Sequence, residues 1–478
     1  MWEKISKSFG DLLLSLQPNC LPKRNRVPCE TVHGANSLDV QWRSCHVCLE
    51  GSRLCMCDHN IEDLKIVQNG TDDIEHHVEA NGSFAHAVLN MIGMLIGLGQ
   101  LSMAYAVETG GWASAFLLIG LGIICAYTSN LLGKCLDQNP KSRSYTDIGH
   151  HAFGTKGRVL ATTFVYTEIF MALVSYTISL HDNLITVLSG TQIKVALAKL
   201  SSSQLLTITA VLVALPSLWL RNLSSISFLS SGGIVMSLLI FVSVASTAIF
   251  GGVKSNHRIP ALHLHNIPTI SGLYVFSYTG HIVFPNLYKA MKDPARFTKV
   301  SIVSFTLVTT LYTTLGFMGA KFFGGEVDPQ ITLSMPKHLI ATKIALWATV
   351  VTPMTKYALQ FAPLAIQLEH KLPDSMSSRA KMIIRGSVGS CLLLMIVALA
   401  LSVPYFEYVL SLTGSLVSVC ISITFPCAFH TKICWGQISR PVMILNLSLI
   451  AFGSILGVFG TISSSKLLVR SLRRAHSA

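Results

Sequence analysis

Charge is what this sequence has least of. Asp, Glu, Lys and Arg make up 12% of its 478 residues, about half the share usual in a soluble domain. Acidic side chains are the scarcer sign, 23 against 36 Lys and Arg. A chain that is 51% hydrophobic and this poor in charge is excluded from the soluble globular class and belongs with polytopic membrane proteins. Catalytic motifs are missing as well. There is no phosphate-binding loop, nucleophile elbow or metalloprotease pair. The run GLGQLS at Gly97 is no dinucleotide fingerprint, because no strand precedes it. Neither an enzyme nor a cofactor is expected. No signal peptide is visible: residues Met1 to Leu16 carry Lys4, Lys7 and Asp11 and lack an apolar core with a small-residue cleavage site. The basic excess of +13 lies mostly in short loops between hydrophobic runs. Topology and contact with anionic lipid account for it, and no nucleic-acid partner is expected.

What is present falls into three parts. Residues 1–82 read as a polar, largely disordered tail. It holds Cys45-His-Val-Cys48 and Cys55-Met-Cys57-Asp-His59, four thiols and two histidines within 15 positions. Cys45, Cys48, Cys55 and Cys57 form a candidate zinc site, although the second pair is C-x-C instead of C-x2-C. Free solvated thiols are the alternative. Residues 83–465 form a membrane domain, and 466–478 a short basic C-terminal tail. Eleven spans are predicted near 84–107, 112–136, 158–180, 204–220, 226–250, 269–290, 300–320, 338–368, 382–402, 406–430 and 440–462. Pro353 and Pro363 predict a kink or tilt in the eighth. With the N-terminus in the cytosol, inside loops hold sixteen Lys and Arg and outside loops seven, with eight more in the tail. That bias predicts a cytosolic N-terminus. The sequons at Asn69 and Asn81 then stay bare. The tail thiols face a reducing compartment, against a disulfide framework.

Two spans are interrupted, and each opens its own half of the membrane domain. SFAHAVLNMIGMLIGLGQLSMAY, Ser83 to Tyr105, clusters Gly93, Gly97 and Gly99 at its centre. SGLYVFSYTGHIVFPNLYKAM, Ser271 to Met291, is broken at Ser277 to His281. Paired interruptions point to the midplane site of a secondary transporter. Unwound backbone there needs protein, water or substrate as a partner. A new helix N-terminus near Gly99 suits a carboxylate, and carbonyls ending the preceding half-helix suit a cation. A zwitterionic α-amino acid matches both. The competing reading makes the glycines close-packing sites, since Gly93-x-x-x-Gly97 is a small-xxx-small motif. Glu168 is an intramembrane carboxylate in the third span and Lys356 an intramembrane cation in the eighth. A structural ion pair, a proton-coupling role and separate placements all remain open. Tyr278 and His281 are candidates to line the cavity. His281 is either a satisfied interior histidine or a proton-sensitive gate.

The runs GMLIGLGQLSMAYAVETGGW, SYTDIGHHAFGTKGR, YVFSYTGHIVFPNLYKAMKDPARFTKVSIVSF and TPMTKYALQFAPLAIQLE resemble the amino acid/auxin permease family. Within it the chain is most similar to the plant vacuolar amino-acid transporter group, relatives of vesicular inhibitory amino-acid transporters. The resemblance covers residues 84 to 462 and implies an all-α, LeuT-like fold of two inverted five-span repeats. Substrate is then held between spans one, three, six and eight. Gly97, Leu98 and Gly99 are implied donors to the substrate carboxylate, flanked by Gly93, Ile96 and Gln100. Phe276, Ser277 and Tyr278 would offer carbonyls and walls, and Tyr166 and Glu168 would face the cavity. Coupling falls to Glu168, Lys356, His281 and Thr352, with Lys356 replacing a sodium ion against Thr352. One departure stands out. Where relatives read LSTPYA, this chain reads LSMAYA, with Met103 and Ala104. The expected function is proton-coupled transport of neutral amino acids across a vacuolar or other endomembrane, or the plasma membrane. The alternative is an amino-acid sensor that binds without transport; a channel is a poorer fit.

Overall fold

The computed structural model describes residues 82–188, 223–252, 258–324, 327–370 and 376–477. The tail cysteines Cys45, Cys48, Cys55 and Cys57, both sequon asparagines and the expected fourth span lie outside the described residues. What is described is an all-α membrane bundle.

Polar caps, glycines and prolines decide where its helices begin and end. α1 (Phe84–Leu95) starts where the Ser83 hydroxyl accepts from the His86 amide at 3.3 Å, satisfying one of the orphan N–H groups of the first turn. At Ile96 the backbone leaves the helix (φ −76°, ψ 120°). It resumes as α2 (Gly99–Gly110), whose axis is bent 58° from that of α1. α2 stops at Gly111, with φ 85°, a conformation open to glycine. A side chain there would also strike the backbone of Pro260–Leu262. That approach lets the Trp112 and Ala113 amides donate to the Pro260 and Ala261 carbonyls at 3.2 and 2.8 Å. α3 (Ser114–Gln138) follows.

α4 (Tyr145–Leu188) is kinked at Phe153 and Gly154 (φ 63°). Before the kink it is a short polar segment, and beyond it the third span. The Asp147 carboxylate holds its start by accepting from the Arg143 and Ser144 amides, both at 3.1 Å. α5 is Leu223–Phe250. The sixth span is split: α6 (Ile267–Ser277) ends at Tyr278, and α7 (Phe284–Ala290) begins again with Pro285 in its first turn. α8 (Phe297–Phe323), the four-residue α9 (Ile331–Ser334), α10 (Ile340–His370) and α11 (Ser378–Ser402) complete the middle of the chain. α10 runs through Pro353 and Pro363 as one helix. α12 (Phe406–Thr413) passes through two π-type stretches, Gly414–Ser418 and Cys420–Thr424, into α13 (Phe425–Ile433). α14 (Arg440–Ser477) closes the bundle.

By length and composition, seven described helices are able to cross a membrane, or eight with α1 and α2 taken as one span. The protein is a multi-pass membrane protein. Both interrupted spans sit inside the bundle. α2 packs on α8 and α6, while α6 also packs on α14 and the π-type stretch. Without a hydrophobic drive between helices in lipid, contact of this kind relies on close van der Waals fit. Gly99 marks a close approach of the two broken spans: any side chain there would collide with Ser277 of the other one.

Candidate functional site

A cavity of about 280 Å³ lies between the two breaks. Gly93, Gly97, Leu98 and Gly99 form its edge on the first broken span, and Phe276, Ser277, Thr279 and Gly280 its edge on the second. α4 adds Tyr166, Glu168 and Tyr176; α10 adds Lys356 and Gln360. Val165, Ile169, Ala172, Ile282 and Val283 make an apolar wall. The cavity reaches the face where α1 begins, since Ser144, Thr146 and Asn286 also line it.

The opposite face is closed by polar contacts. Ser179 Oγ and Asn183 Nδ2 donate to Gln330 Oε1 at 2.6 and 2.7 Å. Gln330 Nε2 donates to Asp182 Oδ2 at 2.7 Å, and the Thr332 hydroxyl to Asn183 Oδ1 at 2.8 Å. Asn266 Nδ2 donates to the Thr109 carbonyl at 2.9 Å.

At the first break the exposed peptide groups sort by sign. The amides of Gly97, Leu98 and Gly99 have no backbone acceptor among the described residues. They form the positive end of α2. The carbonyls face a tethered cation. Lys356 Nζ donates to Gly93 O at 2.6 Å and lies 3.4 Å from Ile96 O. Lys356 is 6% exposed and Glu168 5%, so both charges depend on protein partners. They do not meet. Among the described residues no ion pair joins them, and the Glu168 carboxylate instead takes the Ser418 hydroxyl, 2.9 Å from each oxygen.

Several other candidates face away from the cavity. Tyr278 is fully buried against α8, where its hydroxyl donates to Thr309 Oγ1 at 2.9 Å. His281 turns toward α3. Its Nε2 lies 3.0 Å from Thr128 Oγ1 and 3.2 Å from the Cys125 carbonyl, and its ring sits 4.9 Å from Phe284. Thr352 donates within its own helix to Ala348 O at 2.7 Å. Ile96 contributes its carbonyl, with a buried side chain. Gln100 is buried with Oε1 unpartnered and does not line the cavity. Met103 and Ala104 lie inside α2, past the break, and Ala104 packs against Gly319 of α8. The interruption is made at residues 96–98 and persists without a proline at 104.

Tyr176, Gln360, Asn286 and, through its bond to Glu168, Ser418 belong to the site and are not among the sequence's candidates; Thr279 lies within the second break but is not picked out individually. Gln360 alone had a usable signal, one helical turn beyond Lys356 on the same face.

A multi-pass helical bundle with a cavity between two helices broken in mid-membrane is the build of a secondary transporter. Residues 80–466 match the family model described as transmembrane amino acid transporter protein. The chain belongs to that family. It is 59% identical to the Arabidopsis thaliana protein named amino acid transporter AVT1H over 432 residues, covering 90% of this chain and 99% of that protein. Identity to Arabidopsis amino acid transporter AVT1E is 37% over 387 residues, covering 81% of this chain and 74% of the relative. Identity to the Caenorhabditis elegans vesicular GABA transporter is 26% over 431 residues, 87% of this chain and 86% of that one. Among solved structures, MhsT in complex with L-phenylalanine aligns with a TM-score of 0.49 at 13% identity, over 79% of this chain and 98% of that one.

Proposed function

We propose that this protein is a proton-driven transporter of neutral α-amino acids, working by alternating access around the cavity between the two breaks. The observation that carries this is the cavity itself, edged on one side by the Leu98 and Gly99 amides, which have no backbone acceptor among the described residues, and on the other by the α6 break. The amides and the positive end of α2 take the substrate carboxylate. The apolar wall of Val165, Ile169 and Ala172 takes an uncharged side chain. Lys356 supplies a fixed positive charge at the Gly93 and Ile96 carbonyls, so no sodium ion is required there. Glu168, in contact with the cavity and held by one hydroxyl, carries the coupling proton.

The relatives' names support the substrate class, and the Lys and Arg bias supports a cytosolic N-terminus. A vacuolar or other endomembrane address follows from the resemblance. A fluorescent fusion tracked against membrane markers checks that address.

Purified protein in proteoliposomes, given each of the twenty amino acids under an imposed pH gradient, tests the function. Uptake of several neutral amino acids that collapses with the gradient is the expected result. Uptake indifferent to the gradient removes the coupling. Tight binding without flux replaces transport with sensing.

A further inference from the structure

A helix that ends inside the bilayer leaves its last carbonyls without amide partners. α1 ends this way at Leu95 and α6 at Ser277. Carbonyls at half-helix ends are the groups that coordinate sodium in transporters that use it. In this chain Lys356 already covers those of Gly93 and Ile96. The Leu95 and Ser277 carbonyls meet a second donor. The hydroxyl of Tyr312, on α8, lies 2.9 Å from Leu95 O and 3.2 Å from Ser277 O.

Tyr312 is fully buried and takes no part in the cavity wall. Its ring packs beside that of Tyr278, the centroids 5.6 Å apart and the planes tilted by 51°. The Gly97 amide faces the same phenol oxygen. One hydroxyl hydrogen is therefore shared by carbonyls from the two different broken spans. Without it, two buried acceptors would converge on an empty point between the breaks, at a cost comparable to any buried unsatisfied group.

We propose that Tyr312 is a positioning residue, a tethered donor that joins the two breaks and, with Lys356, fills the carbonyl sites a free metal cation would otherwise need. The first broken helix is then held on both sides by the chain's own side chains. Movement of α1 and α2 relative to α6 has to stretch or exchange the Tyr312 bonds. The proposal deepens the transport reading and depends on it only where flux is measured.

Hydrogen–deuterium exchange on the purified full-length protein, without any amino acid, tests it directly. Tyr312→Phe keeps the ring and removes the donor. Exchange across residues 94–101 and 276–283 should rise about tenfold in the variant, the response of a local opening that has lost a closing bond. Residues 442–465 should be unchanged. Exchange equal to wild type in both break segments overturns the clamp. The wild type is compared in sodium chloride and choline chloride as well. Identical protection in both is expected, and protection that rises with sodium overturns the claim that the carbonyl sites are filled, whether or not the variant folds. In proteoliposomes the variant should show a KM raised about tenfold with a smaller change in maximal rate, since the lost group sets geometry. An unchanged KM in folded variant also counts against it. A wild type that moves no amino acid refutes the transport reading and leaves the exchange result standing on its own.

Discussion

Two buried charges, Glu168 and Lys356, line one cavity without pairing. This separation gives each a distinct experiment. Replacing Glu168 with Gln keeps the side chain's size and an acceptor for the Ser418 hydroxyl but removes the titratable proton. PH-driven uptake should fall at least tenfold while substrate exchange at equal pH on both sides survives; uptake assays with and without a gradient separate the two. Lys356→Met should instead damage the break itself. The Gly93 carbonyl loses its 2.6 Å donor, and one unsatisfied buried acceptor costs about 1–3 kcal/mol. A lowered melting temperature together with lost uptake is expected. A sodium requirement appearing in this variant would fit the role given to the ammonium. His281, enclosed by Thr128, Cys125 and Phe284, carries no proton-gate prediction, since it faces α3 and not the cavity.

At the level of helices, the break in the first span is the work of residues 96–98. Met103 and Ala104 stand where the family resemblance leads one to expect Thr and Pro, yet α2 is regular from Gly99 and bent 58° from α1. Restoring Met103→Thr with Ala104→Pro should therefore leave the break in place. It should cost stability, because proline at the sixth residue of α2 removes an interior hydrogen bond and the site packs on Gly319. A melting curve and an uptake assay on the double variant check this. Gly99→Ala is the sharper element-level test. Its methyl group would collide with Ser277, and overpacking of this kind typically costs about 1–3 kcal/mol. Uptake should be nearly abolished, whereas Gly120→Ala, with open space around it, should be silent. The π-type stretches of the tenth span matter for the same reason. They bring Ser418 to Glu168, and Ser422 to within 3.2 Å of Thr279 at the second break. Insertions of this type often mark functional sites.

For the whole molecule, the cavity opens on the face where α1 begins, and the Gln330 network closes the other. Opening the closed face requires those bonds to part. Gln330→Ala should leave the closed face easier to open, seen as faster labelling of a cysteine placed at Ser179 by a membrane-impermeant thiol reagent added from that side. Unchanged labelling contradicts the network's role as a seal. The orientation has its own check. With the N-terminus in the cytosol, Asn69 and Asn81 carry no glycan, and a glycosidase-sensitive mobility shift would invert the topology.

Among the described residues, the positions of most spans, both interruptions and the two membrane charges were legible in the sequence. Each depends only on composition along the chain: twenty apolar residues cross a bilayer, and glycine or polar clusters cannot continue through it unassisted. Which way a side chain turns is a different matter. Tyr278 and His281 sit within the second interruption, as the sequence placed them, yet Tyr278 turns to α8 and His281 to α3. Tyr176 reaches the cavity, and Ser418 reaches the Glu168 carboxylate behind it, from helices whose rotation no single sequence encodes. Membrane helices are apolar on every side, so hydrophobic periodicity does not mark the face that looks inward. The sequence alone determined that this chain lies in a membrane and is broken twice, because those properties are local. That Lys356 meets Gly93 while Glu168 meets Ser418 was decided only by the packing of helices distant along the chain, because partners are chosen by proximity in space.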